Sequence, residues 1–259
     1  MERTVERIRH ELKFRIAAVR RNERITPRMA RITLTAPEFA TFRSDGYDDH
    51  VKLFFVPEGE TLLPPVRTPQ GLDFPNGVRP AGRDYTPRFH DPAREEVVID
   101  FVLHGDGPAA SWAARAKPGD TVGVGGPRAS FVVKGDFDWH LLVGDETALP
   151  AIGRRIEELP ENAKVRALIE IKDDSERQAF SRPAEITWVL RSKGEGLFEM
   201  VKASPVPPGI GYAFVAGESS TSVAIREHLV GERGVYGEWV KAAGYWRRGE
   251  ADFYDGHEH

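Results

Sequence analysis

The chain has 259 residues, 40% of them hydrophobic and 29% charged, with a formal net charge of -4; this describes a soluble globular chain of one large or two ordinary domains, not a disordered one. It contains no cysteine, which excludes disulfides, zinc ribbons, iron–sulfur clusters and thiol nucleophiles, and its negative balance argues against a nucleic-acid protein dominated by basic residues. No run of about 18 apolar residues is present to span a bilayer, and the charged start, Met1 to Arg9, has no apolar segment behind it, so a cytoplasmic protein is expected.

The first 14 residues carry charges with apolar positions at Val5, Ile8 and Leu12, a spacing that predicts a weak amphipathic helical turn or two. From Phe14 the pattern changes to short β-branched or aromatic runs separated by Pro, Gly, Asn and Asp, which predicts strands at 15–20, 29–35 and 51–56. Pro57 to Gly82 is rich in Pro and Gly without periodicity, the composition of a functional or mobile loop. It leads into a strand carrying Arg83-Asp84-Tyr85-Thr86. In extended chain Arg83 and Tyr85 share one face, and Asp84 and Thr86 the other. A ring, a hydroxyl and a guanidinium so spaced suit an isoalloxazine and a phosphate, so the stretch reads as a flavin seat or, equally, as the end of a surface strand. Further strands at 95–103 and 121–124 complete a small antiparallel barrel of six.

Directly after 97–103 comes His104-Gly105-Asp106-Gly107-Pro108-Ala109-Ala110-Ser111, with a helix expected at 112–116. Glycines and a serine ahead of a helix N-terminus offer N–H groups and a hydroxyl to a pyrophosphate. The alternative is an ordinary Gly-Pro turn with Ser111 as N-cap. The expected placement of this loop is at the same end as Arg83, on an adjacent barrel strand.

Near 134–138 the pattern switches to alternating strands (139–143, 165–171, 186–190, 212–216) and helices (148–159, 196–202, 220–229), the signature of a doubly wound, mostly parallel sheet. Ligands of such sheets sit at the carboxyl ends of the strands. The first of these ends is Gly144-Asp145-Glu146-Thr147. Its two carboxylates would repel a pyrophosphate, so it is expected to meet the nicotinamide and flavin rings through Thr147, unless Asp145 or Thr147 merely caps the helix. Arg191 and Lys193 suit the 2'-phosphate of NADP and equally a solvated surface. Gly217 allows close approach of the nicotinamide half, or turns a strand-to-helix corner with no ligand at all. The histidines show metal spacing only at His257-Glu258-His259 in the tail, and no Ser/His/Asp set is recoverable, so no protein metal site is expected.

With Arg83-x-Tyr85-Thr86, His104-Gly-x-Gly-Pro-Ala, Gly125-Gly126-Pro127-Arg128, Gly144-Asp-Glu-Thr-Ala-Leu-Pro and Gly244-Tyr245-Trp246-Arg247-Arg248-Gly249 assembled, the chain from about Phe14 to Glu250 resembles the siderophore-interacting proteins, flavin-dependent ferric-siderophore reductases within the ferredoxin-reductase-like fold. The resemblance implies FAD held by Arg83, Tyr85, Thr86, the strand residues Asp100 and Val102, His104 and the turn Gly107, Pro108, Ala109 and Ser111, with Thr147 near the ring. It also implies a basic triad for an anionic ferric siderophore, carried here by Lys52, Arg128 and Arg247 and expected around the open side of the ring. Relatives often carry a His-Arg pair where this chain has Leu190-Arg191, which leaves NADH and NADPH both open as donor. The chemistry agrees, because a hydride donor delivers two electrons and Fe(III) accepts one, so a flavin is needed between them.

The expectation is therefore a cytoplasmic monomer with an antiparallel FAD-binding β-barrel at 1–135 and a doubly wound NAD(P)-binding α/β domain with a C-terminal helical segment at 136–259. Its expected partner is a ferric siderophore, with no nucleic acid and no membrane insertion. The alternatives are a general flavin or ferredoxin/flavodoxin NADP reductase, or a siderophore carrier without catalysis.

Overall fold

The computed structural model describes residues 2–69, 71–75, 80–250 and 253. The chain divides into two compact units, Val5–Val133 and Lys134–His259, the second including the first four residues. Among the described residues no helix is long and apolar enough to cross a membrane.

The first unit contains β1 (Thr4–Arg9), β2 (Phe14–Thr26), β3 (Met29–Thr35), β4 (Val51–Phe55), β5 (Val66–Thr68), β6 (Gly71–Asp73), β7 (Ala81–Tyr85), β8 (Pro87–Asp91), β9 (Glu96–Val102), helix α1 (Pro108–Arg115), β10 (Thr121–Gly125) and β11 (Ala129–Lys134). Seven of them form one antiparallel sheet in the order β7-β4-β10-β2-β3-β9-β8. The two edge strands are consecutive in sequence, and only Thr86 separates Tyr85 from Pro87. One extended residue reaches about 3.5 Å, so the sheet must curl until its edges meet. Ile32, Leu34, Val51, Leu53, Val97, Ile99, Phe101, Val122 and Val124 are fully excluded from solvent inside the curl. They are alternate positions of four strands, and each contributes about 1.5–3 kcal/mol by burial.

The sheet has seven strands, not six, because Pro87–Asp91 pairs with β9 as a strand of its own. The N-terminal extension is not helical. Thr4–Arg9 is β1, paired with β11 in a two-stranded ribbon, and nearly all of it is exposed, so backbone pairing decides its conformation where an apolar stripe is missing.

The second unit contains β12 (Trp139–Gly144), α2 (Leu149–Glu158), β13 (Val165–Ile171), β14 (Glu185–Leu190), α3 (Leu197–Ala203), β15 (Gly211–Glu218), α4 (Ser219–Glu227) and β16 (Val240–Trp246). Its sheet runs β14-β13-β12-β15-β16, parallel throughout. Every residue of β12 is buried, as a central parallel strand covered on both faces requires. The strand order reverses between β12 and β15, which makes their carboxyl ends the switch point where such sheets bind ligands. The C-terminal helical segment is α4 with a π-helical turn at His228–Glu232, and it is followed by the edge strand β16, which ends at Trp246.

Ahead of β4, a buried polar cluster fixes the loop. Ser130 Oγ (2.5 Å), Ser44 Oγ (2.9 Å) and Gly46 N (3.1 Å) all donate to Asp49 Oδ2. With its single proton on Asp49, Ser130 accepts from His10 Nε2 at 2.7 Å and from Asp45 N at 3.1 Å. Burial pushes the Asp49 carboxyl from 3.8 up to about 6, against the pull of those donors. Between these values the folded chain binds more protons than the unfolded one, so stability falls as pH rises through that window, by about 3 kcal/mol in all. Asp49→Asn removes this slope. In denaturant unfolding the variant should gain about 2–3 kcal/mol on the wild type between about pH 4 and pH 7; a difference that stays flat would contradict the assignment.

Candidate functional site

The Arg83-x-Tyr85-Thr86 segment lies at the closure of the curled sheet. Val51 pairs with Tyr85 and Leu53 with Arg83, while Lys52 pairs with Asp84, so Arg83 and Tyr85 share the face of the core residues and Asp84 lies on the other. The Tyr85 ring stands 4.5 Å from that of Phe101, centroid to centroid, and Trp112 of α1 meets the same Phe101 at 5.8 Å. Phe101 thus joins the segment to the helix. Strands β7 and β9 are not hydrogen-bonded neighbours, since β4, β10, β2 and β3 lie between them in the sheet order; β8 pairs with β9 only as far as Ile99, leaving Asp100 to Val102 beyond its end. Burial pushes the Tyr85 hydroxyl's pKa up, with the charge of Arg83 pulling it partly back, so the side chain stays a neutral phenol.

Helix α1 begins at Pro108, four residues earlier than the sequence pattern suggested, because proline is pre-organised for the first helical position. Ser111 is therefore inside the helix, its N–H bonded to Gly107 O at 2.9 Å, and not ahead of it. Gly107 is the N-cap and supplies no side chain to the first turn, which carries no acidic residue. The amides of Ala109 and Ala110 have no carbonyl four residues back within the helix. A Cβ built on Gly105 or Gly107 meets nothing within 4 Å, so space stands open in front of this terminus, with His104 and Asp106 exposed beside it. N–H donors, a helix dipole and open space fit the pyrophosphate of a flavin dinucleotide. Arg31 takes both oxygens of Asp100 at 2.7 Å, so a flavin contact through this carboxylate would have to share it with the ion pair, whereas one through the backbone would not; Val102 is half-buried at the end of β9.

The basic residues are distributed between the units. Lys52 lies on the sheet face away from Tyr85, its Nζ 2.8 Å from Asp84 Oδ1. It pairs across β10 with Gly125, and Arg128, exposed, stands three residues further on. Arg247 belongs to the second unit, with its guanidinium 3.3 Å from Glu250 and 4.6 Å from the Phe253 ring centroid.

At the switch point of the second unit the turn after β12 is built around Asp145. Its Oδ1 accepts from Thr147 N (2.8 Å) and Thr147 Oγ1 (2.5 Å), and its Oδ2 from Glu218 N (3.2 Å) and Trp246 Nε1 (2.7 Å). One carboxylate thus ties together the carboxyl ends of β12, β15 and β16. Burial raises its pKa, while the bonds from Thr147 and Trp246 lower it. Gly217 is left-handed here (φ 139°), and a Cβ on it would come within 2.6 Å of Asp145 Oδ2; the corner requires glycine before any ligand is considered. With its proton on Asp145, the Thr147 hydroxyl can accept from a ligand but not donate. The sequence reading did not place Trp246; the indole at the end of its Gly-Tyr-Trp-Arg motif was the available signal.

Arg191 spans two carboxylates, bonding to Glu146 through both terminal nitrogens and to Glu170 at 3.0 Å. Burial alone would lower its pKa, but the two glutamates outweigh it and raise it. A 2'-phosphate reaching Arg191 would have to displace one of them. Lys193, 4.0 Å from Asp174 and exposed, is the more accessible of the two cations.

Comparison with known proteins agrees with this architecture. Residues 18–131 match the model of the siderophore-interacting FAD-binding domain, and residues 137–249 that of the siderophore-interacting protein. The NADPH-dependent ferric-chelate reductase of Escherichia coli is 35% identical over 246 residues, covering 93% of this chain and 96% of the relative. The ferric vibriobactin reductase of Vibrio cholerae is 32% identical over 239 residues, covering 89% and 88%. The crystal structure of a siderophore utilization protein from T. fusca superposes with a TM-score of 0.88 at 40% identity, over 99% of this chain and 100% of that one.

Proposed function

Because the chain belongs to the siderophore-interacting protein family, we propose that it is an NADPH-dependent, FAD-containing reductase that converts the Fe(III) of a ferric siderophore to Fe(II) and so releases the metal. The observation that carries this reading within the structure is the open, uncapped N-terminus of α1, joined through Phe101 to the Arg83–Thr86 segment. On this reading the Ala109 and Ala110 amides and the Arg83 guanidinium hold the phosphates. Tyr85 offers a ring to the isoalloxazine and Thr86 a hydroxyl to its edge. Bound there, FAD supplies the exchange between a two-electron hydride donor and a one-electron iron acceptor.

The carboxyl ends of β12 and β15 receive the nicotinamide nucleotide, with Thr147 accepting a hydrogen bond, Gly217 giving the backbone close approach, and Lys193, more than Arg191, available to a 2'-phosphate. Lys52, Arg128 and Arg247 attract the chelate, which is anionic when built from catecholates or hydroxycarboxylates; in a chain of net charge -4 that attraction must be local. The iron arrives caged by its chelator and is cargo, so protein ligands for it are not needed. Fe(II) binds hard anionic oxygens more weakly than Fe(III), and reduction therefore opens the cage. NADPH is a cytoplasmic reductant, and we place the protein in that compartment as a monomer.

Anaerobic titration tests the proposal. NADPH should bleach the flavin absorbance of the FAD-loaded protein, and a ferric siderophore should restore it while a ferrous trap colours. Reoxidation by free flavin or a redox protein, but not by the chelate, would overturn it.

A further inference from the structure

Lys52 does not stand alone at the position assigned to the chelate. The β4–β7 register sets it directly opposite Asp84, and its Nζ lies 2.8 Å from Oδ1 and 2.9 Å from Oδ2, so a single ammonium engages both carboxylate oxygens. The Lys52 stem crosses Gly82, where a Cβ would come within 3.2 Å of Lys52 Cδ, and its other cross-strand neighbour is Gly125. With glycine on both sides, the side chain that meets the head of Lys52 is Asp84. The pair is accessible, the two side chains being 44% and 33% exposed, so an incoming anion can compete for the ammonium.

We propose that Asp84 sets the charge selectivity of this reductase, holding Lys52 against the sheet and disfavouring highly anionic ferric chelates relative to neutral ones. The inference rests on the reading of Lys52 as a substrate contact. As found, the pair presents no net charge, and a chelate must either displace the carboxylate or approach Lys52 with Asp84 beside it. Displacement restores an unpaired carboxylate within a few ångströms of the chelate, and the resulting repulsion scales with the chelate's charge. A trianionic ferric tris-catecholate meets it in full, whereas a neutral ferric tris-hydroxamate hardly meets it. Asp84 occupies the variable position of Arg-x-Tyr-Thr, on the face away from Tyr85, so the segment that would seat the flavin also carries the residue that screens the acceptor.

The test compares steady-state KM, at low salt and per bound FAD, for ferric tris(catecholate) and ferric tris(acetohydroxamate) in the wild type, Asp84→Asn, Asp84→Ala and Lys52→Ala. Both Asp84 variants should lower KM for the catecholate about fivefold, the scale of an exposed ion pair, and move the hydroxamate value less than about twofold, with the gap closing as salt is added. Equal shifts for both chelates, or none, overturn the inference while Lys52→Ala still raises the catecholate KM. A Lys52→Ala variant with both values unchanged refutes instead the substrate role of Lys52 and this inference with it. A wild type that turns over neither chelate refutes the proposed reductase itself.

Discussion

Asp145→Asn should lose about 2–4 kcal/mol of stability although it changes one heavy atom. The reason is a count of donors. Both oxygens of Asp145 face only groups that donate, two at Oδ1 and two at Oδ2, and a carboxylate can accept all four. An asparagine must turn its NH2 toward one of these pairs. Placed at Oδ2 it confronts the Glu218 N–H and the Trp246 indole N–H; placed at Oδ1 it confronts the Thr147 N–H, and only the Thr147 hydroxyl can rotate to accept. Either orientation leaves at least one buried N–H facing another. The damage falls on the corner where β12, β15 and β16 end, so NADPH-driven flavin reduction should slow as well. Denaturant unfolding checks the first effect and stopped-flow bleaching the second. In a Trp246→Phe background, where one of the four donors is already gone, Asp145→Asn should cost less. A loss below about 0.5 kcal/mol, the usual scale for an unremarkable surface change, would show that the network does not hold the turn.

That network marks a boundary of what the residues alone disclose. Gly144-Asp-Glu-Thr stood out as a carboxylate-bearing turn at a strand end, and its location needed only the pattern of apolar runs. The partners of Asp145 needed the fold, because Glu218 and Trp246 lie 73 and 101 residues away. The same holds for Arg191: a cation at a strand end suggests a phosphate, and only the packing of β13 beside β14 shows that Glu170 and Glu146 already engage it. The first half of β2, where buried positions alternate, was legible, as was β3 with its β-branched Ile32, Thr33 and Thr35. Strand β1 was not, since its side chains are nearly all exposed, and neither was β16, where Ala242-Ala243-Gly244 lacks the β-branched residues that announce a strand. The face alternation of Arg83-Asp84-Tyr85-Thr86 could be read directly. That Asp84 meets Lys52 depends on a register between strands β4 and β7, which are far apart in sequence and whose pairing no local pattern fixes.

Arg31→Met should destabilise the first unit by about 3 kcal/mol, because it strips the counter-ion from a carboxylate with almost no access to water. The Asp100 side chain is 1% exposed and Arg31 30%, and the two face each other across the β3–β9 ladder with both carboxylate oxygens engaged. Removing the arginine leaves a buried charge that must be resolvated or protonated; removing both charges leaves neither obligation. Arg31→Met combined with Asp100→Leu should therefore recover most of the loss, and a double variant no more stable than the single one would show that the pair does not act as a unit. The same double variant decides how Asp100 serves a flavin. If its role passes through the backbone at the overhanging end of β9, FAD retention after ultrafiltration should match that of the wild type. If the carboxylate itself holds the cofactor, the recovered fold should emerge colourless, since no side-chain acceptor would remain at position 100 in a protein whose stability had been restored.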